Sequence, residues 1–397
     1  MASDTLTAKP VSGGKKALEA RGGVSPTPNH AAASGHSGAV EALSAQSPPG
    51  TAPVHPTFSY HGGPVVNCPL VNVSFWGSAW TTDPTHLARA ARLAQFHKDL
   101  VSSNFMNVLN QYGVGKGIFV NTSFFSNVKS DLSGTDIQNT LQAAINSGAL
   151  AEPSNGNTCV IVYLAEGITV HDGGIVMCAA TSDDAFGFHS FFTTAAGHPL
   201  NFAIIPGLDD SCLKSSCPGG DGTCSLKLTE TQEQRQTQVA SHEFAEMTTD
   251  PQLNAWFEGN AGGENGDLCN GESATIIIGA NTWTVQRTYS KTNDTGAPGA
   301  NFCLSEAAAP IAKLPGGPAS SVGAQILAAN VLPHDRLLPL PPVHFDAKAG
   351  KHRRDPAEIE AYVKRVFSPL PHGMLLGDLA PFLREVAEII EKPAKKG

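Results

Sequence analysis

The segment Ser241-His242-Glu243-Phe244-Ala245-Glu246 sets an imidazole and a carboxylate four residues apart, with a second carboxylate directly after the histidine. On a helix, positions i and i+4 share a face, so His242 and Glu246 can offer a nitrogen and an oxygen to one ion. Imidazole and carboxylate both bind Zn2+, and a carboxylate-rich set also suits Mn2+ or Ca2+. Glu243 stands where a general base would take a proton from water activated by that ion. The plainer reading of the same residues is a His-Glu pair on a solvated acidic face. A third ligand must come from beyond the helix. Glu264-Asn265-Gly266-Asp267 brings two carboxylates 18 and 21 residues after Glu246, behind Gly259, Gly262 and Gly263, which would let the loop fold back. His189, in Phe186-Gly187-Phe188-His189-Ser190, is a further candidate for metal or substrate, its other role being that of a buried structural histidine.

These residues need a scaffold, and the sequence around them interleaves strands and helices. Thr229 with Gln232 has the form of a capping box, so the metal-motif helix should begin near Glu230, and Asp250-Pro251 should end it. Leu70 to Trp76 alternates with period two and predicts a half-buried strand. Further strands are expected at 117–120, 159–164 and 202–206, and helices from Asp83-Pro84 to about Val101 and over 136–146. Thr275 to Ile278 and Thr282 to Tyr289 predict a hairpin around Gly279-Ala280-Asn281. The expected class is α+β: a mixed sheet with packed helices, one carrying the metal motif.

The flanks differ in composition. Residues 1–56 hold Ala, Ser, Pro, Gly and His with few large apolar side chains, which predicts a disordered arm. The folded domain is expected over 57–305, an Ala/Pro-rich linker over 306–354, and short amphipathic helices over 355–397. The chain has 26 Lys and Arg against 35 Asp and Glu, and within 57–305 the balance is 10 against 22, or −12. Such an acidic domain argues against a nucleic-acid partner, which needs a basic face. No stretch approaches the ~18 to 20 apolar residues of a spanning helix. Nothing in the sequence fixes an oligomeric state. All eight cysteines fall in the acidic domain, which predicts a disulfide framework and a secreted protein, although the first residues lack the basic-then-apolar pattern of a signal peptide. Cys269 and Cys303 are the expected pair; a zinc ribbon from Cys212, Cys217 and Cys224 is the weaker alternative use of three others.

Two resemblances follow. The run His242-Glu243-x-x-Glu246 resembles the H-E-x-x-H motif of zincin-type metallohydrolases, with Glu in place of the second His. In zincins whose third ligand is a Glu, it follows at a comparable distance and a later Asp orients the first His. That resemblance implies Glu264 as ligand and Asp267 as orienting residue, with the exchanged assignment open. Tyr60-His61-Gly62-Gly63-Pro64, Phe75-Trp76-Gly77, Phe188-His189, Ser241 to Pro251, Asn254 to Phe257, Glu264 to Cys269 and Trp283 to Gln286, in order, resemble the phosphate-induced/EXORDIUM-like family across about 57–305. The family implies a secreted, cell-wall-associated protein and brings no established reaction. Its Asn-Pro after the helix is Asp250-Pro251 here. The expected function is therefore a zincin-type, peptidase-like hydrolase acting on a peptide or cell-wall substrate. The alternative is a non-catalytic secreted module that binds wall polysaccharide or a protein partner, with a structural cation or none. A glycosidase using Glu243 and Glu264 would need its carboxyls ~5 to 9.5 Å apart.

Overall fold

The computed structural model describes residues 53–318, apart from 154–155, 173–174, 179–183, 217–224, 260–262 and 298, together with 344–346 and 351–353. Nearly all of the expected N-terminal arm and the helices expected over 355–397 lie outside the described residues. At the centre is a five-stranded sheet built from β1 (Leu70–Trp76), β2 (Ile118–Phe125), β3 (Thr158–Leu164), β4 (Phe188–Thr193) and β5 (Pro199–Ile205). Its order is β2-β1-β3-β5-β4. The first three pairings are parallel, and the edge strand β4 runs antiparallel to β5. The architecture is mixed α+β.

Helix α1 (Pro84–Leu100) starts where Pro84 fixes the first turn, and the Asp83 carboxylate accepts from the backbone N–H of Thr85 at 2.7 Å. Helix α2 (Gly134–Ser147) opens on a capping box between Ser133 and Asp136 and closes on Gly148 at φ 80°. The two cover opposite faces of the sheet. Val71, Val73, Phe75, Ile161 and Tyr163 pack with Leu93, Phe96 and Leu100 of α1, whereas Val160, Val162, Leu164 and Phe202 pack with Ile137 and Leu141 of α2.

This double cover overturns the half-buried reading of β1. All seven of its residues are buried. The alternation is real, but it separates two cores rather than core from solvent, and the polar positions are satisfied inside: Trp76 Nε1 donates to Ser74 Oγ at 2.8 Å. Each large apolar side chain so buried contributes about 1.5–3 kcal/mol.

Helix α3 (Gln232–Thr249) crosses the face that α1 also covers and lies against β4, β5 and the hairpin β6 (Ser273–Ile278) and β7 (Asn281–Gln286). The hairpin turns at Gly279, φ 60°. Residues 306–318, expected to begin the linker, run beside the short helix Phe105–Leu109 and the turn after it. Ala307, Ile311 and Leu314 donate backbone hydrogen bonds to the carbonyls of Asn104, Asn107 and Gln111 at 3.1, 2.9 and 2.9 Å.

Two disulfides are described. Cys269–Cys303 and Cys178–Cys212 each span a separation of 34 residues. The second takes Cys212 out of any zinc ribbon, because a bridged sulfur is no thiolate ligand. Cys217 and Cys224 lie outside the described residues, and the buried Cys159 thiol is pushed up by burial, with Cys68 adding to the shift.

Candidate metal centre

Helix α3 begins with a reciprocal capping box, Thr231 Oγ1 accepting from Gln234 N and Gln234 Oε1 from Thr231 N, two residues after the expected start. It ends at Asp250. Every residue from Arg235 to Thr249 is buried, so the helix has no solvated face along that stretch. Its polar side chains are met by backbone: Gln238 donates to Ser225 O at 3.0 Å and Thr237 to Thr284 O at 2.7 Å. The solvated-pair reading of His242 and Glu246 fails on this burial.

His242 and Glu246 do share a face, with Nε2 3.0 Å from Oε1. Asp267 Oδ1 lies 3.7 Å from the same nitrogen, and the Asp267 N–H donates to Glu246 Oε1 at 3.1 Å. From the edge strand β4, His189 enters on the other side, Nδ1 standing 3.6 Å from Glu243 Oε2 and 3.6 Å from Glu246 Oε2. Glu264 is in the cluster too, but its Oε1 lies 3.6 Å from His189 Nε2, so it faces His189 where the sequence had placed it with His242. Two donor triads result, His189-Glu243-Glu246 and His242-Glu246-Asp267, each with its atoms within 4.8 Å of one another.

The loop that brings Glu264 and Asp267 together is a tight one. Glu264 N donates to Asp267 Oδ2 at 3.1 Å, and a 3-10 turn, Asp267–Cys269, follows and is tied by the disulfide to Cys303. The glycine that the close approach requires is Gly266, since a Cβ there would stand 2.8 Å from His242 Nδ1 and 2.9 Å from Glu246 Oε1. Gly187 plays the same part from the strand side, where a Cβ would meet Val239 at 2.6 Å and Glu243 Oε1 at 2.9 Å. Neither was singled out in the sequence.

Also unforeseen was Gln286, at the end of β7. Its Nε2 lies 2.6 Å from His242 Nδ1 and donates to Gly266 O at 2.8 Å. With the amide nitrogen as donor, His242 keeps its proton on Nε2, facing Glu246. Ligation through Nε2 needs the other tautomer, with Nδ1–H given to Gln286 Oε1, an atom that has no hydrogen-bond partner in this arrangement.

Charge in the cluster is far from balanced by protein groups. Burial alone would depress His189 and His242, but the surrounding carboxylates outweigh it and hold each imidazole up at about 10. Burial and then the Glu246 carboxylate push Asp267 up to about 8, and burial and then Glu246, Asp250, Asp267 and Glu243 hold Glu264 far above the usual carboxylate range. His242 Nε2, His189 Nδ1, Glu246 Oε2, Asp250 Oδ2 and both Glu264 oxygens are buried without a hydrogen-bond partner. Unmet polar atoms of this kind are rare in native interiors, and a divalent cation is a group that would meet several at once. The donor chemistry fits Zn2+ or Mn2+.

The cluster is enclosed. His189, His242, Glu243, Glu246 and Glu264 are all 0% exposed, and Asp267 is 7%. A cavity of about 360 Å³ lies elsewhere, beyond the carboxyl ends of β3 and β5, lined by Glu166, Ile168, Leu208 and the Cys178–Cys212 bridge. It holds no residue of the cluster. His61 lies on the surface, its ring stacked on Phe257 at 3.7 Å. Among the described residues no helix is long and apolar enough to cross a membrane.

The chain is 25% identical over 256 residues to Protein EXORDIUM-like 3 of Arabidopsis thaliana, a match covering 53% of this chain and 68% of that protein. No family model matches the chain and no solved structure does. The likeness supports a distant relationship to the EXORDIUM-like proteins, and together with the disulfides it is consistent with secretion.

Proposed function

We propose that this is a secreted, metal-dependent hydrolase of zincin type, with a peptide bond as the expected target. The observation that carries the reading is the set of buried histidine and carboxylate atoms without partners, gathered around the His242-Glu243-x-x-Glu246 turn. A divalent cation held there would supply Lewis acidity to water and to a substrate carbonyl. His242 and Glu246 would hold such an ion from the helix, and Asp267 or Glu264 would complete the set from the return loop. Glu243 takes the proton of the attacking water, and its burial, which raises its carboxyl above the usual range, suits a base that later returns the proton to a leaving amine. Gln286 fixes the His242 ring. The layout of helix α3 against a mixed sheet supports the zincin-like fold that the motif implies.

One observation favours a second reading. A catalytic ion needs an open coordination position, and this cluster is closed to solvent. A structural cation in a non-catalytic EXORDIUM-like module, binding wall polysaccharide or a protein partner, fits that enclosure. Elemental analysis of purified protein, followed by a peptide-substrate screen of the parent and of Glu243→Gln, separates the two. Zinc or manganese in the parent, with hydrolysis that falls by several orders of magnitude in Glu243→Gln, is expected. Calcium alone and no hydrolysis would move the function to the binding module, and no metal would remove the centre.

A further inference from the structure

We infer that the cluster holds two divalent cations bridged by the Glu246 carboxylate. The inference rests on the metal-centre reading and deepens it. The donors do not converge on one point: they form two groups on the two oxygens of a single carboxylate. Glu246 Oε1 faces His242 Nε2 at 3.0 Å, with Asp267 beside it, and Glu246 Oε2 faces His189 Nδ1 at 3.6 Å, with Glu243 beside it. Each triad is closed to within 4.8 Å, and Glu246 is the residue common to both.

Independent support comes from the unmet atoms, which appear on both sides of the bridge. His242 Nε2 belongs to one group, His189 Nδ1 and Glu246 Oε2 to the other, and all are on side chains that are 0% exposed. One ion would occupy only one of these groups and leave the other histidine to its carboxylate contacts alone.

Charge points the same way. Glu243, Glu246, Asp250, Glu264 and Asp267 carry five negative charges when ionised, and histidines that ligate are neutral. Asp250 Oδ1 accepts the backbone N–H groups of Asn254 and Ala255, both at 2.6 Å, so its carboxylate is partly met by the chain. The other four carboxylates, Glu243, Glu246, Glu264 and Asp267, match the charge of two divalent ions once ionised. Glu243 would then ligate through Oε2, keeping Oε1, on the Gly187 side, as a proton acceptor.

The test uses the full-length protein dialysed to constant composition against Zn2+, and separately Mn2+, with metal and protein measured on the same samples. The parent should retain about two equivalents. Glu243→Gln and Asp267→Asn, checked by circular dichroism for native structure, should each lose about one. Mn2+-loaded parent should show an exchange-coupled electron paramagnetic resonance signal in place of the hyperfine pattern of isolated ions, a readout that needs no variant to fold. A single equivalent in the parent, or an uncoupled Mn2+ spectrum, overturns the bridged pair and leaves a one-ion centre standing. Two equivalents unchanged in both variants would put the ions elsewhere and overturn it as well. No retained metal overturns the pair and the centre together.

Discussion

The two disulfides provide a built-in comparison. Both join residues 34 apart, so a chain-entropy account assigns them the same stabilisation. For a closed segment of about 35 residues, ΔS ≈ −2.1 − 1.5R ln n is roughly −12.7 cal/mol/K, or about 3.8 kcal/mol at 25 °C. The native states differ. Cys178 holds a left-handed backbone, φ 57°, which costs a non-glycine residue about 1 kcal/mol and could relax once its bridge is gone. Cys269, 1% exposed, ends the 3-10 turn that presents Asp267, and Cys303 is 2% exposed. Replacing both cysteines of a pair by alanine should therefore cost about 3–4 kcal/mol for Cys269–Cys303 and about 1 kcal/mol less for Cys178–Cys212. Urea unfolding followed by tryptophan fluorescence suits the measurement, because Trp76, Trp80, Trp256 and Trp283 are all buried. Equal losses would remove the backbone-strain argument. A loss below ~1 kcal/mol at Cys269–Cys303, with the parent's midpoint unmoved by reductant, would refute the bridge's stabilising role.

Three further outcomes follow from the packing. Gly266→Ala should reduce metal retention by at least tenfold and lower stability by ~1–3 kcal/mol, because the added methyl meets His242 and Glu246 at under 3 Å; unchanged metal content by elemental analysis would contradict the placement of that loop. Burial by itself would raise the Glu166 carboxyl, but His86, Arg89 and Gln232 together hold it down at about 2. A depressed carboxylate stabilises above its unfolded value of 4.5 and loses that contribution as pH falls toward 2, so the stability gap between parent and Glu166→Gln, about 1–2 kcal/mol at pH 7, should close over that window in pH-dependent melts. Limited proteolysis should leave a core that extends past residue 305 to include Leu314, since the backbone bonds of Ala307, Ile311 and Leu314 tie this stretch to the domain; mass spectrometry showing a stable fragment that ends at 305 would contradict it.

Several elements around the sheet could be read in the sequence because they carry their own punctuation: Pro84 and Asp83 for α1, Gly279 for the hairpin. What periodicity could not reveal was how many layers lie against a strand, and so β1 read as half-buried. The solvated-face reading of helix α3 failed in the same sense. Its polar residues look like a wet face, yet Gln236, Thr237 and Gln238 reach carbonyls of Pro206, Thr284 and Ser225, and such long-range pairings leave no local mark. Within the cluster, His242, Glu243 and Glu246 were visible as one helical turn, and Glu264 and Asp267 as a return loop. The facing of Glu264 to His189 was not, because it depends on the register of β4 against β5, which pairs His189 with Ala203. Gln286 and the two close-approach glycines are of no residue type that marks them for a site role, because their part is set by packing.

The enclosure of the cluster has a kinetic side. An ion seated among side chains that water does not reach cannot exchange through the closed protein, however fast its ligand bonds break. Its departure would wait for the return loop, clamped by Cys269–Cys303 on one flank and by the pairing of Trp256–Glu258 with Phe58–Tyr60 on the other, to swing clear of α3. Isotope exchange of bound metal would then act as a clock for that opening. Reducing the bridge should speed the clock even under conditions where the equilibrium affinity scarcely changes.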